Sequence, residues 1–537
     1  MPIQNDRIEK PVRRLVTIAV LAMATINAFW LLAERGLGEH EAFVSVTARE
    51  MIESGDWILP TCNDAPRLEK TPLSYWLTAA SSWIVGGINE LAARGPSAAM
   101  AVLTAAAILY FVGRILSFRI GAVSTAAWAT SLAYIRYSHN ARPEMALTFF
   151  VALSLLAFYA GLTAAARRRQ VVYMTIAWAS FGLGMLAKGP APLPLVLIPV
   201  FLYVAVFRHW NKVPRLLPLA GPLIFLAIVI PWPLAVAVRL DFDLVLWKKE
   251  FIDRFMGEYK PGGKPIYYYL YVMFQYAAPW SAFLAMSMAA PFYRVWNRKQ
   301  PFMQFAWMWF VADLVFLTIS GGKRQHYMLP LMPAAAVLTG ILLEDMIFAK
   351  KAYTGRFAGN VLLGHIAVAA VGGAVAILFA GGGKLRLIGP PAVLAVAAAA
   401  AVGLLFLKKN KTMACAAMFA GASAILLASM YAFVAHEDES QLVRSFGAEA
   451  AARIGPEDEL TCYKQVPIRF VHYFGRPVGE CRNLAQLYSR YSKGQWIIAI
   501  GENLPPILDD DRFHQVAFRK NAMESHGKPV AAGLFRK

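Results

Sequence analysis

What this chain has little of is charge. Asp, Glu, Lys and Arg make up 16% of its 537 residues, while hydrophobic residues make up 58%; a soluble domain carries about 25% charged residues. A water-soluble globule of this length needs a polar shell that these residues cannot supply, so lipid must cover much of the apolar surface. Cysteine is scarce as well, four in all and none in C-x-x-C spacing, which excludes a disulfide framework and suggests no zinc site. Acidic residues are outnumbered, 33 against 53 Lys and Arg. With a mean hydropathy of +0.47, the net charge of +20 reads as loops facing an anionic cytoplasmic leaflet, and no nucleic-acid partner is expected.

What is abundant is long apolar runs. The first, Leu15 to Leu32, follows Arg13 and Arg14 and is long enough to cross ~30 Å of hydrocarbon. Acidic and aromatic sequence follows it, not a small-residue cleavage site, so a retained helix is expected. Further spans centre near Leu103, Trp128, Ala152, Trp178, Leu197, Leu226, Met273, Phe310, Ala334, Ala370, Val396 and Leu426, about thirteen spans in all at the length a bilayer requires. The run Leu73 to Val85 is apolar but short and holds Ser74, Tyr75, Trp76, Ser81, Ser82 and Trp83, which suits an interfacial helix better. Leaving it out of the span count puts the basic clusters on one side at every second loop: Arg114/Arg119, Arg167 to Arg169, Arg208/Lys212/Arg215, Arg294/Arg298/Lys299, Lys350/Lys351/Arg356 and Lys408/Lys409/Lys411. The expectation is a multi-pass protein of the cell inner membrane with a cytoplasmic N-terminus and a last span that exits outward.

The stretch from His436 to Lys537 is more polar. It reads as a helix (441–454), a strand (459–463), a segment at 468–474, a helix (484–491), a strand (496–500) and strands near Val516 and Val530, a small α/β domain on the outer side. The domain boundaries are therefore 1–435 for the membrane part and 436–537 for the outer part. Cys462 and Cys481 both lie in the latter, where either a disulfide or two buried thiols would serve.

Three outer loops carry charges that spanning does not require. The first reads Gly38-Glu39-His40-Glu41, then Ala48-Arg49-Glu50, Gly55-Asp56-Trp57 and Arg67-Leu68-Glu69-Lys70-Thr71-Pro72. It is either an interfacial loop with solvated charges and belt tryptophans, or a cleft pairing acids with cations. In the second, Arg142-Pro143-Glu144 sets a carboxylate at the start of a span, where a helix N-terminus favours it structurally and a site would use it chemically. The third, Lys323-Arg324-Gln325-His326-Tyr327, and Lys188 in Ala187-Lys188-Gly189 place positive charge against the topology rule. An anionic phosphate suits these cations, and snorkelling is the bland alternative.

These ordered segments resemble a known family. Glu41-Ala42, Ala48-Arg49-Glu50-Met51, Gly55-Asp56-Trp57, Leu68-Glu69-Lys70-x-Pro72-Leu73-x-Tyr75-Trp76, Arg94-x-Pro96-Ser97 and Leu186-x-Lys188-Gly189-Pro190 are similar to motifs of the GT-C glycosyltransferases, in the branch of the protein O-mannosyltransferases and the lipid A 4-amino-4-deoxy-L-arabinose transferases. The similarity continues through Trp247 to Phe251, Arg254-Phe255, Lys264-Pro265-x-Tyr267-Tyr268-Tyr269, Pro279-Trp280 and Lys323-x3-Tyr327-x-Leu329-Pro330.

The resemblance implies an all-α polytopic GT-C fold with juxtamembrane helices in the first outer loop. It also implies a polyprenyl-phosphate sugar donor, a lipid, glycan or protein acceptor at the outer face, and an inverting single displacement. The family's first loop carries an Asp-Glu pair whose Asp is taken as the base. Here Glu41 matches the Glu, but His40 stands at the Asp position, with Glu39 before it. Glu144 matches the second acidic position and Lys70 the donor-phosphate residue.

On this reading Glu39, His40, Glu41 or Glu144 takes the acceptor proton. Lys70, Arg67, Lys323, Arg324 and Tyr327 hold the departing phosphate, and Arg49, Glu69, Arg142 and Lys188 complete the candidates. No cofactor is required, and adjacent side chains at His40 are poorly arranged for a divalent metal. A flippase binding the same phosphate without chemistry, or an inactive scaffold, are the alternatives.

Overall fold

A computed structural model describes residues 9–217, 219–240, 264–289, 301–348, 355–379, 384–435, 438–490, 495–525 and 528–536. The expected motif from Trp247 to Arg254-Phe255 and the basic residues Arg294, Arg298, Lys299, Lys350 and Lys351 lie outside the described residues. The chain forms two compact units. One comprises Met1–Trp30, Leu68–Ser74 and Arg94–Ala432; the other comprises Leu31–Arg67, Tyr75–Ala93 and Phe433–Lys537. Parts of the first outer loop thus group with the C-terminal region, although residues 94–432 lie between them in the chain.

In chain order the elements that matter below are α1 (Lys10–Phe29), α2 (Glu39–Ser54), α3 (Leu73–Val85), α4 (Glu90–Ile115), α5 (Phe118–Ala129), α6 (Leu132–Ser138), α7 (Glu144–Thr163), α8 (Arg167–Lys188) and α9 (Pro192–Val206). Among the described residues ten helices are long and apolar enough to cross a membrane, and the chain is a multi-pass helical membrane protein. Three of the expected spans take another form. The one near Trp128 is broken between α5 and α6, where the Ser131 hydroxyl accepts from the Tyr134 amide and caps a new helix. The one near Met273 is split into Tyr268–Ala277 and Ser281–Ala289 around Pro279, which has no N–H to continue a helix. The one near Leu197 is α9, 15 residues long. The 13-residue α3 is too short to span, as its length predicts.

The hairpin of α7 and α8 sets the level of the functional residues. The two helices are 20 and 22 residues long, each ~30 Å, so the start of α7 and the end of α8 lie at the same height. Small and polar groups allow close contact: Ser154 Oγ donates to Ala177 O at 2.9 Å, and Phe158 meets Trp178 edge-on at 5.3 Å. At the other end Arg215 donates from both Nη atoms to Leu162 O and Ala164 O, each at 2.9 Å. A cation thereby satisfies the last carbonyls of α7. The helix Met332–Phe348 packs on α5 so tightly that a Cβ on Gly340 would lie 2.6 Å from Ser124 Cα. Asn27 of α1 gives the buried core a polar tie, donating to Ala129 O and accepting from Ser423 Oγ.

In the second unit a two-residue turn at Asn63-Asp64, both at positive φ, closes a short hairpin of β1 (Thr61–Cys62) and β2 (Ala65–Pro66). Asn and Asp tolerate this conformation better than other non-glycine residues. The C-terminal region runs helix Asp438–Arg453, β3 (Leu460–Tyr463), helix Ile468–Phe474, β4 (Gly479–Cys481), helix Leu484–Arg490, β5 (Trp496–Ile500), β6 (His514–Ser525) and β7 (Lys528–Arg536); this is the expected order with the segment at 468–474 helical and the strand β4 added. The sheet order is β4-β3-β5-β7-β6, with β3 parallel to β4 and β5 and the other pairs antiparallel. β3 and β5 are buried throughout, the pattern of strands covered on both faces.

Cys462 and Cys481 are free thiols. In the β3–β4 register Cys462 stands opposite Glu480 and Cys481 opposite Tyr463. Side chains alternate faces along a strand, so the two sulfurs point to opposite sides of the sheet and no disulfide forms.

Candidate functional site

Glu144 opens α7 and Lys188 closes α8. The hairpin brings them together: Lys188 Nζ donates to Glu144 Oε1 at 3.0 Å, with the side chains 14% and 6% exposed. His326, in the 3₁₀ turn Gln325–Leu331, presents Nε2 3.5 Å from the same carboxylate oxygen. The Lys188 ammonium lies 5.2 Å from the Tyr327 ring centroid, within cation–π range, and the His326 ring meets Tyr327 edge-on at 4.8 Å. Glu144 Oε2 is buried with no hydrogen-bond partner among the described residues, as is Nε of Arg142. A buried carboxylate oxygen left unpaired is costly, and such atoms in a native fold commonly mark a place where a ligand or water is received.

The segment carrying Lys70 reaches this cluster through its backbone neighbour, since the Gly189 amide donates to Thr71 Oγ1 at 3.2 Å. Lys70 Nζ donates to Glu69 O at 2.9 Å, and its charge is felt at Lys188. Arg324 is exposed and Lys323 half-buried in the loop before the turn. That loop is pinned by Tyr269, whose hydroxyl accepts from the Arg324 amide and donates to its carbonyl, both at 3.2 Å. The first unit therefore gathers Glu144, Lys188, Arg142 and Tyr327, with Lys70 in electrostatic reach. It adds His326, which stands in the third outer loop between the expected candidates Arg324 and Tyr327.

Of the remaining candidates Glu69 belongs to the first unit, and Glu39, His40, Glu41, Arg49 and Arg67 belong to the second, each in a local role. Gly38 caps α2, and Glu41 folds back on it, accepting from the Gly38 amide at 2.8 Å and from Arg35 at 3.2 Å, a capping-box arrangement. Glu39 accepts from the Ile468 amide at 3.0 Å and lies 3.5 Å from Arg469 Nε, closing the N-terminus of helix Ile468–Phe474. Arg49 holds the other end of that helix, donating to Val471 O and His472 O at 3.3 and 3.2 Å; burial lowers its pKa. His40 is exposed in the first turn of α2, and Glu69 is exposed in the loop before Lys70. Arg67 places its guanidinium 3.9 Å from the Phe43 ring centroid. Tyr473 bridges Leu37 and Glu90, accepting from the Leu37 amide at 2.7 Å and donating to Glu90 at 3.0 Å. No periodicity in the sequence signals that bridge.

Comparison with known proteins shows what the chain is similar to. The family of dolichyl-phosphate-mannose-protein mannosyltransferases matches residues 69–234, which contain Lys70, Glu144 and Lys188. An undecaprenyl phosphate-α-4-amino-4-deoxy-L-arabinose arabinosyl transferase of Photorhabdus laumondii is 28% identical over 340 residues, covering 60% of this chain and 58% of the relative. The enzyme of that name from Pseudomonas aeruginosa is 27% identical over 334 residues, covering 60% and 59%. The similarity thus spans less than two thirds of the length of these relatives. Among solved structures, ArnT from Cupriavidus metallidurans bound to undecaprenyl phosphate superposes with a TM-score of 0.80 at 20% identity, covering 97% of each chain. The chain has the GT-C fold and resembles, in sequence, the lipid A aminoarabinose transferase branch of that superfamily.

Proposed function

We propose that this protein is an integral membrane glycosyltransferase that moves a sugar from an undecaprenyl-phosphate donor to a membrane-lipid acceptor at the outer face of the inner membrane. The observation that carries this reading is the buried cluster of Glu144, Lys188 and His326, with a carboxylate oxygen left unpaired, at the mouth of a helical hairpin. The N-terminus lies in the cytoplasm and the C-terminal domain outside, following the basic loops. Residues 1–435 form the membrane part and 436–537 the outer part.

In the reaction the acceptor hydroxyl or amine attacks the anomeric carbon from the side opposite the phosphate. The C–O bond to the prenyl phosphate breaks with its electron pair on the phosphate oxygen. Lys70, Lys323 and Arg324 compensate that charge, Tyr327 borders it, and Lys188 and Arg142 hold Glu144. Because a phosphodiester is already a good leaving group, positioning and fixed charge supply most of the acceleration.

The test is to reconstitute the full chain in nanodiscs with radiolabelled undecaprenyl-phosphate aminoarabinose and lipid A, alongside donors carrying other sugars. Acceptor-dependent release of undecaprenyl phosphate, lost in Lys70→Met, is the expected result. Movement of intact donor across a vesicle membrane without release would overturn it.

A further inference from the structure

His326 is the group in this cluster whose bonding is incomplete in a chemically directed way. Its Nε2 faces Glu144 Oε1 at 3.5 Å, so the ring proton belongs on Nε2, where a lone pair would meet a carboxylate. That tautomer leaves the lone pair on Nδ1. Nδ1 has no hydrogen-bond partner among the described residues, and the side chain keeps 16% of its surface open. The ring is held in place by Tyr327 edge-on at 4.8 Å and by a turn that also buries Met328, Leu329 and Pro330. A carboxylate behind one imidazole nitrogen and an open lone pair on the other is the arrangement that fixes the tautomer and orientation of a general base.

Glu144 Oε1 accepts from Lys188 at 3.0 Å, which holds the carboxylate beside the His326 ring. The carboxylates of α2, which belong to the second unit, are bonded within it, Glu41 to Gly38 and Arg35 and Glu39 to Ile468. We propose that His326 accepts the proton of the acceptor nucleophile at Nδ1, with Glu144 as the positioning residue behind it. This rests on the transferase reading above.

The step balances as follows. As the acceptor O–C or N–C bond to the anomeric carbon forms, its proton passes to Nδ1. The bond from that carbon to the prenyl-phosphate oxygen breaks, and the electron pair leaves with the phosphate. The imidazolium then releases the proton to water. The charged groups that act on His326 are Glu144, Lys188, Arg142 and Arg324.

The experiment uses the full chain in nanodiscs with undecaprenyl-phosphate aminoarabinose and lipid A, comparing wild type with His326→Gln and His326→Ala. Donor binding and thermal stability are measured beside turnover. A 10²- to 10⁴-fold fall in kcat is expected for H326Q, the usual contribution of a general base, with donor affinity within threefold of wild type. The rise of kcat/KM with pH, which a histidine base gives, should vanish in H326Q, and added imidazole should restore activity to H326A. A purely structural role would change neither the pH limb nor the response to imidazole. If H326Q retains kcat within threefold and the same pH limb, the proposal is overturned while the transferase reading stands. If wild type releases no undecaprenyl phosphate from any donor tested, the transferase reading fails and this proposal with it.

Discussion

Replacing Lys188 by Met should destabilise the protein far more than replacing Lys188 and Glu144 together. Among the described residues the ammonium is the one strong donor on Glu144, at 3.0 Å, and both side chains are largely buried. Removing it leaves a carboxylate with one oxygen that has no partner and the other facing only an imidazole at 3.5 Å. Breaking a buried ion pair from one side typically costs about 3–5 kcal/mol, because the surviving charge stays desolvated. In the double variant K188M/E144Q neither charge remains, and the cost should fall to about 1–2 kcal/mol of lost hydrogen bonding. The coupling energy should then be about 1–3 kcal/mol. The assay is equilibrium unfolding in mixed micelles for wild type, both single variants and the double variant. If K188M lies within about 1 kcal/mol of wild type, or if the single effects simply add, the buried pair is not a structural unit and the reasoning fails.

Three further outcomes follow from the packing. Gly340→Val should lower the unfolding temperature and the folded yield, since its Cβ would approach Ser124 Cα to 2.6 Å and overpacking costs about 1–3 kcal/mol; a variant as stable as wild type would refute the close contact. His472 is buried with Nδ1 unpartnered, and burial, with Arg49 and Arg444 nearby, lowers its pKa to about 3. Below its ordinary pKa of about 6.5 the unfolded chain takes a proton that the folded one refuses, so stability is present above that pH and falls by up to about 1.4 kcal/mol per unit down to about pH 3. Hydrogen exchange at β3 and β5 of the full chain, corrected for intrinsic rates, should show this acid sensitivity in wild type and lose most of it in H472Q. All four cysteines should alkylate after denaturation without reductant, as free thiols do; protection of Cys462 and Cys481 would contradict the opposed faces of β3 and β4.

Much of the fold was legible because it depends on local composition. Runs of apolar residues long enough for a bilayer give ten helices directly. Alternation and turn residues give nearly every element of the C-terminal region. The exceptions have local physical causes that hydropathy does not weigh: a hydroxyl cap at Ser131, the missing amide of Pro279, and the three-residue strand β4, too short for any pattern. The ties in the second unit are of another kind. Arg49 bonds to a carbonyl 423 residues away and Glu39 to an amide 429 residues away. Both read as site candidates because charge in an apolar chain draws attention, whatever its use. Only the location of helix Ile468–Phe474 reveals that they cap its two ends.

The same limit applies to the cations on the outer side. Positive charge against the topology rule suits an anionic phosphate or snorkelling, yet Lys188 finds its counter-charge within the chain, in Glu144. An excess of charge in a loop therefore shows that a partner is needed without showing that the partner is foreign. The more telling signal is an incomplete set of bonds: Glu144 has one oxygen paired and one buried alone, and His326 has one nitrogen facing that carboxylate and one open. That signal depends on how α7, α8 and the turn at Gln325–Leu331 converge, and the sequence alone carries only its raw material, an imidazole between two spans that had to be given a partner in the same way as Lys323 beside it.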